Sequence, residues 1–324
     1  MDQLTKFLFE GLPVRGMLVR LTGSWQELLR RRATLGQHPA EVRALLGEMV
    51  AAGTLMQSNI KFNGALVLQV YGDGPVKLAV AEVQPSLSFR ATAKVVGPVS
   101  EGAQLEAMVN VHGQGRCAIT LDPLDKLPGQ QPYQGVVSLH GDLHEPLQQI
   151  SQVLEHYMLQ SEQLDTRLVL AANDEVAAGL LVQRLPVDGV ANLAGGASGE
   201  GRRNEDDIGL SEGFNRVALL AATLTREELL SLPPERILHR LFWQETLRVF
   251  DAEHPRFACS CSRERVQGML KSLGREESDS LIEERGLVEV GCEFCGHQYR
   301  FDAVDVGKMF TAASQQAPAP RSLQ

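Results

Sequence analysis

Four of the five cysteines, Cys259, Cys261, Cys292 and Cys295, fall in the last quarter of a 324-residue chain. They form a CxC pair and a CxxC pair. Four thiolates can close a tetrahedral zinc site with zinc–sulfur distances of about 2.3 Å. The second pair has the spacing of a metal knuckle, and Gly291 and Gly296 flank it, which suits a tight turn. The CxC pair leaves little room for relaxed disulfide geometry. A bridge there would be strained and easily reduced, which suits a reversible switch better than a permanent staple. Four thiolates on one zinc ion leave a net negative centre. Arg263, Arg265 and Arg300 either offset that charge or form a solvated face. His297 is an alternative ligand, superfluous beside four cysteines. Cys117 stands apart in GQGRCAITL and reads as a buried strand cysteine.

These ligands need a scaffold, and the sequence offers a small one. Residues 247–311 read as a zinc-binding module: strand-like LRVFD, the CxC segment, and an amphipathic helix carrying Val266, Met269, Leu270 and Leu273. A charged stretch follows, then a hairpin around the CxxC pair. A module of about 60 residues has a marginal core, and a metal often completes its fold. Residues 312–324, with two prolines and several Gln and Ala, read as a disordered tail.

Upstream, residues 1–185 read as one α+β core domain. Helical spacing runs from Pro39 to about Ile60. Strand patterns cover Ala65–Tyr71, Lys77–Val83, Ser86–Val96, Cys117–Leu121, Gly135–Leu139 and Arg167–Ala172, with a helix from Pro146 to about Gln163. In Ser86–Val96, strict alternation puts Leu87, Phe89, Ala91, Ala93 and Val95 on one face. Strands in succession followed by helices favour α+β over repeated βαβ units. Residues 186–246 read as a linker region, glycine-rich from Gly189 to Gly209 and helical afterwards. There Thr225 and Glu228 make a capping box, and Leu219, Leu220 and Leu224 are the apolar residues that undocking would uncover.

Composition narrows the class. Hydrophobic residues make up 44% and the net charge is −9, so the chain is globular and a poor electrostatic partner for nucleic acid. No window has the apolar length of a membrane span. The N-terminus carries Asp2, Lys6 and Glu10 and is not a signal peptide, which makes the cytoplasm the default compartment. GQGR at 113–116 lacks the phosphate-loop pattern and its lysine, and no nucleotide site is legible.

RFACSCSRER at 256–265 followed by CEFCGHQYRF at 292–301 resembles the bacterial 33-kDa heat-shock protein family. SNIKFNGALVLQVYGDGPVKLAV at 58–80 and LTREELLSLPPERILHRLF at 224–242 extend the resemblance over most of residues 1–310. The resemblance implies a redox-regulated holdase and not an enzyme. In the reduced state one zinc per chain is held by Cys259, Cys261, Cys292 and Cys295 in an inactive monomer. Oxidation would form Cys259–Cys261 and Cys292–Cys295 disulfides, release the metal, loosen the module and its linker, and favour a homodimer. Unfolding client proteins would then be bound without ATP.

Two other classes compete. A thiol–disulfide oxidoreductase would use the CxxC pair, but that pair does not open a helix after a thioredoxin-type strand. A zinc-ribbon nucleic-acid binder is disfavoured by the acidic balance and by only 5% aromatics.

Overall fold

The computed structural model describes residues 2–125, 130–185 and 203–310, with side chains from Glu212 onward in the last stretch. The expected disordered tail lies outside these residues, as does the glycine-rich linker up to residue 202. From Arg203 the chain is helix, so the end of the expected glycine-rich stretch is helical. Two compact units result, Met1–Ala258 and Cys259–Gln324.

The first unit carries strands β1 (Gln3–Phe9), β2 (Val14–Leu21), β3 (Gly64–Tyr71), β4 (Val76–Val83), β5 (Ser88–Val95), β6 (Arg116–Pro123), β7 (Tyr133–Ser138), β8 (Thr166–Ala172), β9 (Ala177–Arg184), β10 (Leu247–Val249) and β11 (Arg256–Phe257). They form a five-stranded sheet, ordered β10-β1-β2-β9-β8, and a six-stranded sheet, ordered β11-β5-β4-β3-β6-β7. Every pairing is antiparallel except that of β11 with β5. The helices of this unit are α1 (Gly23–Ala33), α2 (Ala40–Gln57), α3 (Leu105–Val109), α4 (Ile150–Glu162), α5 (Arg203–Ala222), α6 (Arg226–Ser231) and α7 (Pro234–Phe242).

Helix α2 packs against strands of both sheets. Its sequence explains why it can. From Leu45 to Gln57 nearly every residue is buried, and a helix that is apolar all round belongs in an interior. Gly47 permits the closest approach, since a Cβ there would sit 2.4 Å from the Ala172 Cβ. One core joins α2 to both sheets and includes Leu87, Phe89, Ala91 and Ala93, the alternating face read from the sequence.

The five-stranded sheet buries its other face as well. Phe7, Phe9, Leu18, Leu180 and Val182 pack under Phe214, Val217, Ala221, Leu224, Leu229, Ile237, Leu241 and Phe242 of the helical segment. Strand β9 is therefore covered on both sides, which is why AAGLLVQR shows no alternation. Helix α5 meets the sheet through Phe214, Val217 and Ala221, and Leu224 follows just past its end. Leu219 is 68% exposed in this docked state and Leu220 is half-buried, so of the three leucines expected to be hidden only Leu224 is buried. Thr225 caps α6, accepting from the Glu228 amide while Glu228 accepts from the Thr225 amide.

The second unit holds α8 (Arg263–Leu273), α9 (Arg275–Arg285), β12 (Val288–Gly291), β13 (Gln298–Phe301) and α10 (Ala303–Phe310). Its core is Leu270, Val288, Tyr299, Phe301, Val306 and Met309. The charged stretch after α8 is a second helix. Of the four apolar residues read for α8, Leu270 is buried and Val266 half-buried, while Met269 and Leu273 are exposed. Leu247–Val249, expected to open this module, instead extends the first sheet beside β1, with Phe7 opposite Val249.

Candidate metal centre

Two local structures bring the cysteines together. Cys259 and Cys261 lie between the end of β11 and the start of α8, where Ser262 caps the helix by accepting from the Arg265 amide. Cys292 and Cys295 lie in the loop joining β12 to β13. Antiparallel pairing of Gly291 with Gln298 closes that loop. Inside it the Cys292 amide donates to the His297 carbonyl (2.9 Å), and the Gly296 amide donates to the Cys292 carbonyl (2.8 Å). Gly296 has φ +72°, a backbone state that a side chain would strain, so the glycine beside the pair is needed for the turn.

The four sulfurs all lie within 4.8 Å of one another. Cys259 Sγ is 3.6 Å from Cys292 Sγ, and Cys261 Sγ is 3.5 Å from Cys295 Sγ. A tetrahedral ion with zinc–sulfur bonds of about 2.3 Å spans sulfur–sulfur edges of about 3.8 Å, so the cluster fits such an ion closely. None of the five cysteines is disulfide-bonded. This is a cluster of four cysteines positioned to bind a metal.

Electrostatics favour the same occupant. Without a cation, Cys259 and Cys295 are held toward the thiol form and Cys292 toward the thiolate. Cys259 is pushed up first by its hydrogen bond to Cys292 and then by burial. Cys295 is pushed up first by burial, and Cys292 is pulled down first by the hydrogen bond it accepts from Cys259. Backbone amides already favour thiolates here: Phe294 and Cys295 toward Cys292, His297 toward Cys295, and Cys261 toward Cys259. A divalent cation would complete the ionisation that these amides begin.

The surrounding residues differ in part from the sequence reading. Arg265 stays close to the CxC loop, its Nη1 donating to Ser260 Oγ at 3.0 Å. Arg263 does not balance the sulfurs. Its guanidinium covers the Phe301 ring at 4.1 Å and pairs with Asp305 at 2.7 Å. Arg300 pairs with Glu289 across the hairpin. The His297 ring packs edge-on against Tyr299, with centroids 4.5 Å apart, and is not among the clustered ligands. Cys117 is fully buried in β6, where desolvation pushes its thiol up to about 12.

Tyr299 was not legible as a site residue. Its hydroxyl donates to Cys261 Sγ at 3.1 Å. The signal was QYRF immediately after CGH: in strand β13, alternation places Tyr299 and Phe301 on the core side of the hairpin, beneath the sulfurs. A hydrogen bond to a ligand sulfur orients it and tunes its charge.

The family described as Hsp33 protein matches residues 2–302. A 33 kDa chaperonin of Chromobacterium violaceum is 45% identical over 320 residues, covering 98% of this chain and 97% of its own. A 33 kDa chaperonin of Nitrosococcus oceani is 39% identical, covering 98% and 96%. The crystal structure of a 33 kDa chaperonin from Thermotoga maritima superposes with a TM-score of 0.73 at 20% identity, covering 95% of this chain and 98% of that one. Among the described residues, no helix is long and apolar enough to cross a membrane.

Proposed function

The chain belongs to the Hsp33 family, and from that premise we propose that it is a redox-regulated, ATP-independent holdase. It is a binder of unfolding proteins, not a catalyst. The observation that carries this reading is the cluster of Cys259, Cys261, Cys292 and Cys295 in a unit whose own buried core is six side chains. The metal we assign to it is zinc, one per chain. Bound there, zinc would tie the CxC loop to the CxxC loop and hold the small unit folded.

The switch lies in the thiolates. Each pair, Cys259–Cys261 and Cys292–Cys295, forms one sulfur–sulfur bond and gives up two electrons, the two protons that peroxide needs to become water coming from solvent. With peroxide as oxidant the products are the disulfide and two waters. Disulfide sulfurs no longer serve as thiolate ligands. Pairing within each motif follows the family resemblance. In the reduced structure sulfurs also approach across the motifs, at 3.6 Å (Cys259–Cys292) and 3.5 Å (Cys261–Cys295), so peptide mapping of the oxidised protein is part of the test.

Activation then needs apolar surface. The helices from Phe214 to Phe242 cover an aromatic and aliphatic face of the five-stranded sheet. Their release would bare a contiguous apolar patch of the kind that binds unfolded chains. We place the protein in the cytoplasm, monomeric when reduced and dimeric when oxidised. The deciding experiment follows aggregation of a thermally unfolding client without ATP. Oxidised, metal-free protein should suppress it, and reduced, zinc-loaded protein should not. Equal protection in both states would overturn the switch. Turnover of insulin disulfides would favour the oxidoreductase reading instead.

A further inference from the structure

A cavity in the first unit lies remote in sequence from the cysteines. Strand β2 alternates, and its odd-numbered residues Met17, Val19 and Leu21 enter the main core. Arg15 is on the same side, so the register turns a guanidinium toward the space between the two sheets. There it borders a cavity of about 180 Å³ walled by Met56, Ile119, Leu121, Met158 and Leu181. Burial lowers the Arg15 pKa, the mark of a cation short of solvent.

What holds Arg15 is neutral. Its Nε and Nη2 donate to Gln183 Oε1 at 3.1 and 2.5 Å. Asn59 Nδ2 donates to the same oxygen at 3.1 Å, and Gln183 Nε2 donates to Thr166 Oγ1 at 2.7 Å. Gln183 is 1% exposed, so the clamp is built into the interior. Among the described residues no carboxylate lies within ion-pair distance of Arg15, and its Nη1 has no hydrogen-bond partner. The other charged group on the cavity, Glu162, is exposed at the rim and already accepts from Tyr157 Oη at 2.7 Å.

A part-buried cation without a counter-ion costs free energy, and an anion that brings its own apolar body offsets that cost. Guanidinium edges also match carboxylates geometrically. We infer that the Arg15 cavity is a binding site for a small apolar monocarboxylate. Its carboxylate would accept from the free Nη1, and its hydrocarbon would lie against Ile119, Leu121 and Leu181. The volume suits a ligand of about eight heavy atoms, given that an apolar cavity of about 150 Å³ takes up benzene.

The test uses full-length, reduced, zinc-loaded protein and three probes of equal length: hexanoate, hexanol and hexylamine. Titration calorimetry and backbone amide shifts report binding. The expected result is saturable one-to-one binding of hexanoate, at least tenfold tighter than hexanol, with shifts at Arg15, Asn59 and Gln183. Arg15→Gln should weaken hexanoate at least tenfold and leave hexanol unchanged. If that variant fails to fold, the wild-type series decides alone. Equal binding of hexanoate and hexanol, or no saturable binding of hexanoate, overturns the site. Hexylamine binding more tightly than hexanoate would put the ligand charge at Glu162 and overturn it equally.

Discussion

Arg226, the first residue of α6, places its Nη1 3.6 Å from the Glu48 carboxylate of the central helix α2, and its Nη2 donates to the Ala172 carbonyl. One side chain of the helical segment thus ties it both to the buried helix and to the edge strand β8.

The burial of Glu48 at this contact sets a pH dependence. Burial lifts the Glu48 carboxyl from 4.5 to about 7, and Arg226 opposes the shift without cancelling it. The folded value lies above the unfolded one. The Glu48 contribution is therefore most favourable below about pH 4.5, is lost as the pH rises to about 7, and is flat beyond. Glu48→Gln should remove this slope. Melting temperatures of wild type and variant should lie nearest each other at the acid end, where Glu48 is protonated, separate as the pH rises from 5 to about 7, and run parallel above pH 7. Parallel curves throughout would mean that Glu48 titrates normally.

Reduced protein should bind one zinc per chain. Serine at position 259, 261, 292 or 295 should weaken binding severely, and Cys117→Ser should leave it intact, because Cys117 lies in the β6 interior. Competition with a chromophoric chelator measures this directly. Affinity should fall on acidification, since protons compete for the thiolates.

Tyr299→Phe isolates one hydrogen bond. It removes the donor to Cys261 Sγ while keeping the ring against His297 and the small core. Loss of a partner to a ligand typically costs about 10–100-fold in metal affinity. A chelator titration showing no change would reduce Tyr299 to a core residue.

Phe242 closes an aromatic cluster, its ring centroid 5.0 Å from Phe9 and 6.1 Å from Phe7. Phe242→Ala should cost about 3–5 kcal/mol at this contact. Protease should then cut between residues 203 and 242 faster in reduced, zinc-loaded protein, and client protection should no longer need oxidation. Wild-type cleavage rates would show that the cluster does not hold the helices down.

The sequence made some of this legible and hid the rest for physical reasons. The CxC and CxxC pairs announced their cluster because ligand chemistry is local in sequence. The alternation of Leu87 to Val95 announced β5 because only one of its faces meets the core. Strand β9 gave no period, being buried on both faces, and β1 and β2 went unread beside a charged N-terminal cluster. Leu247–Val249 reads in sequence as a strand opening the cysteine module, whereas its pairing partner is at Phe7–Phe9, some 240 residues earlier. Tyr299 and Arg15 owe their placement to register, and register is fixed by pairing that no single segment contains.

The helices on the outer face of the five-stranded sheet also have a kinetic meaning. They are tethered to the surface they cover, so they compete for it at an effective concentration on the order of millimolar, whatever the amount of protein present. A free chain seeking the same face at cellular abundance meets an occupant that never diffuses away. Raising the amount of the competitor does little. Weakening the occupant by a few kcal/mol shifts the balance by orders of magnitude, about tenfold for each 1.4 kcal/mol.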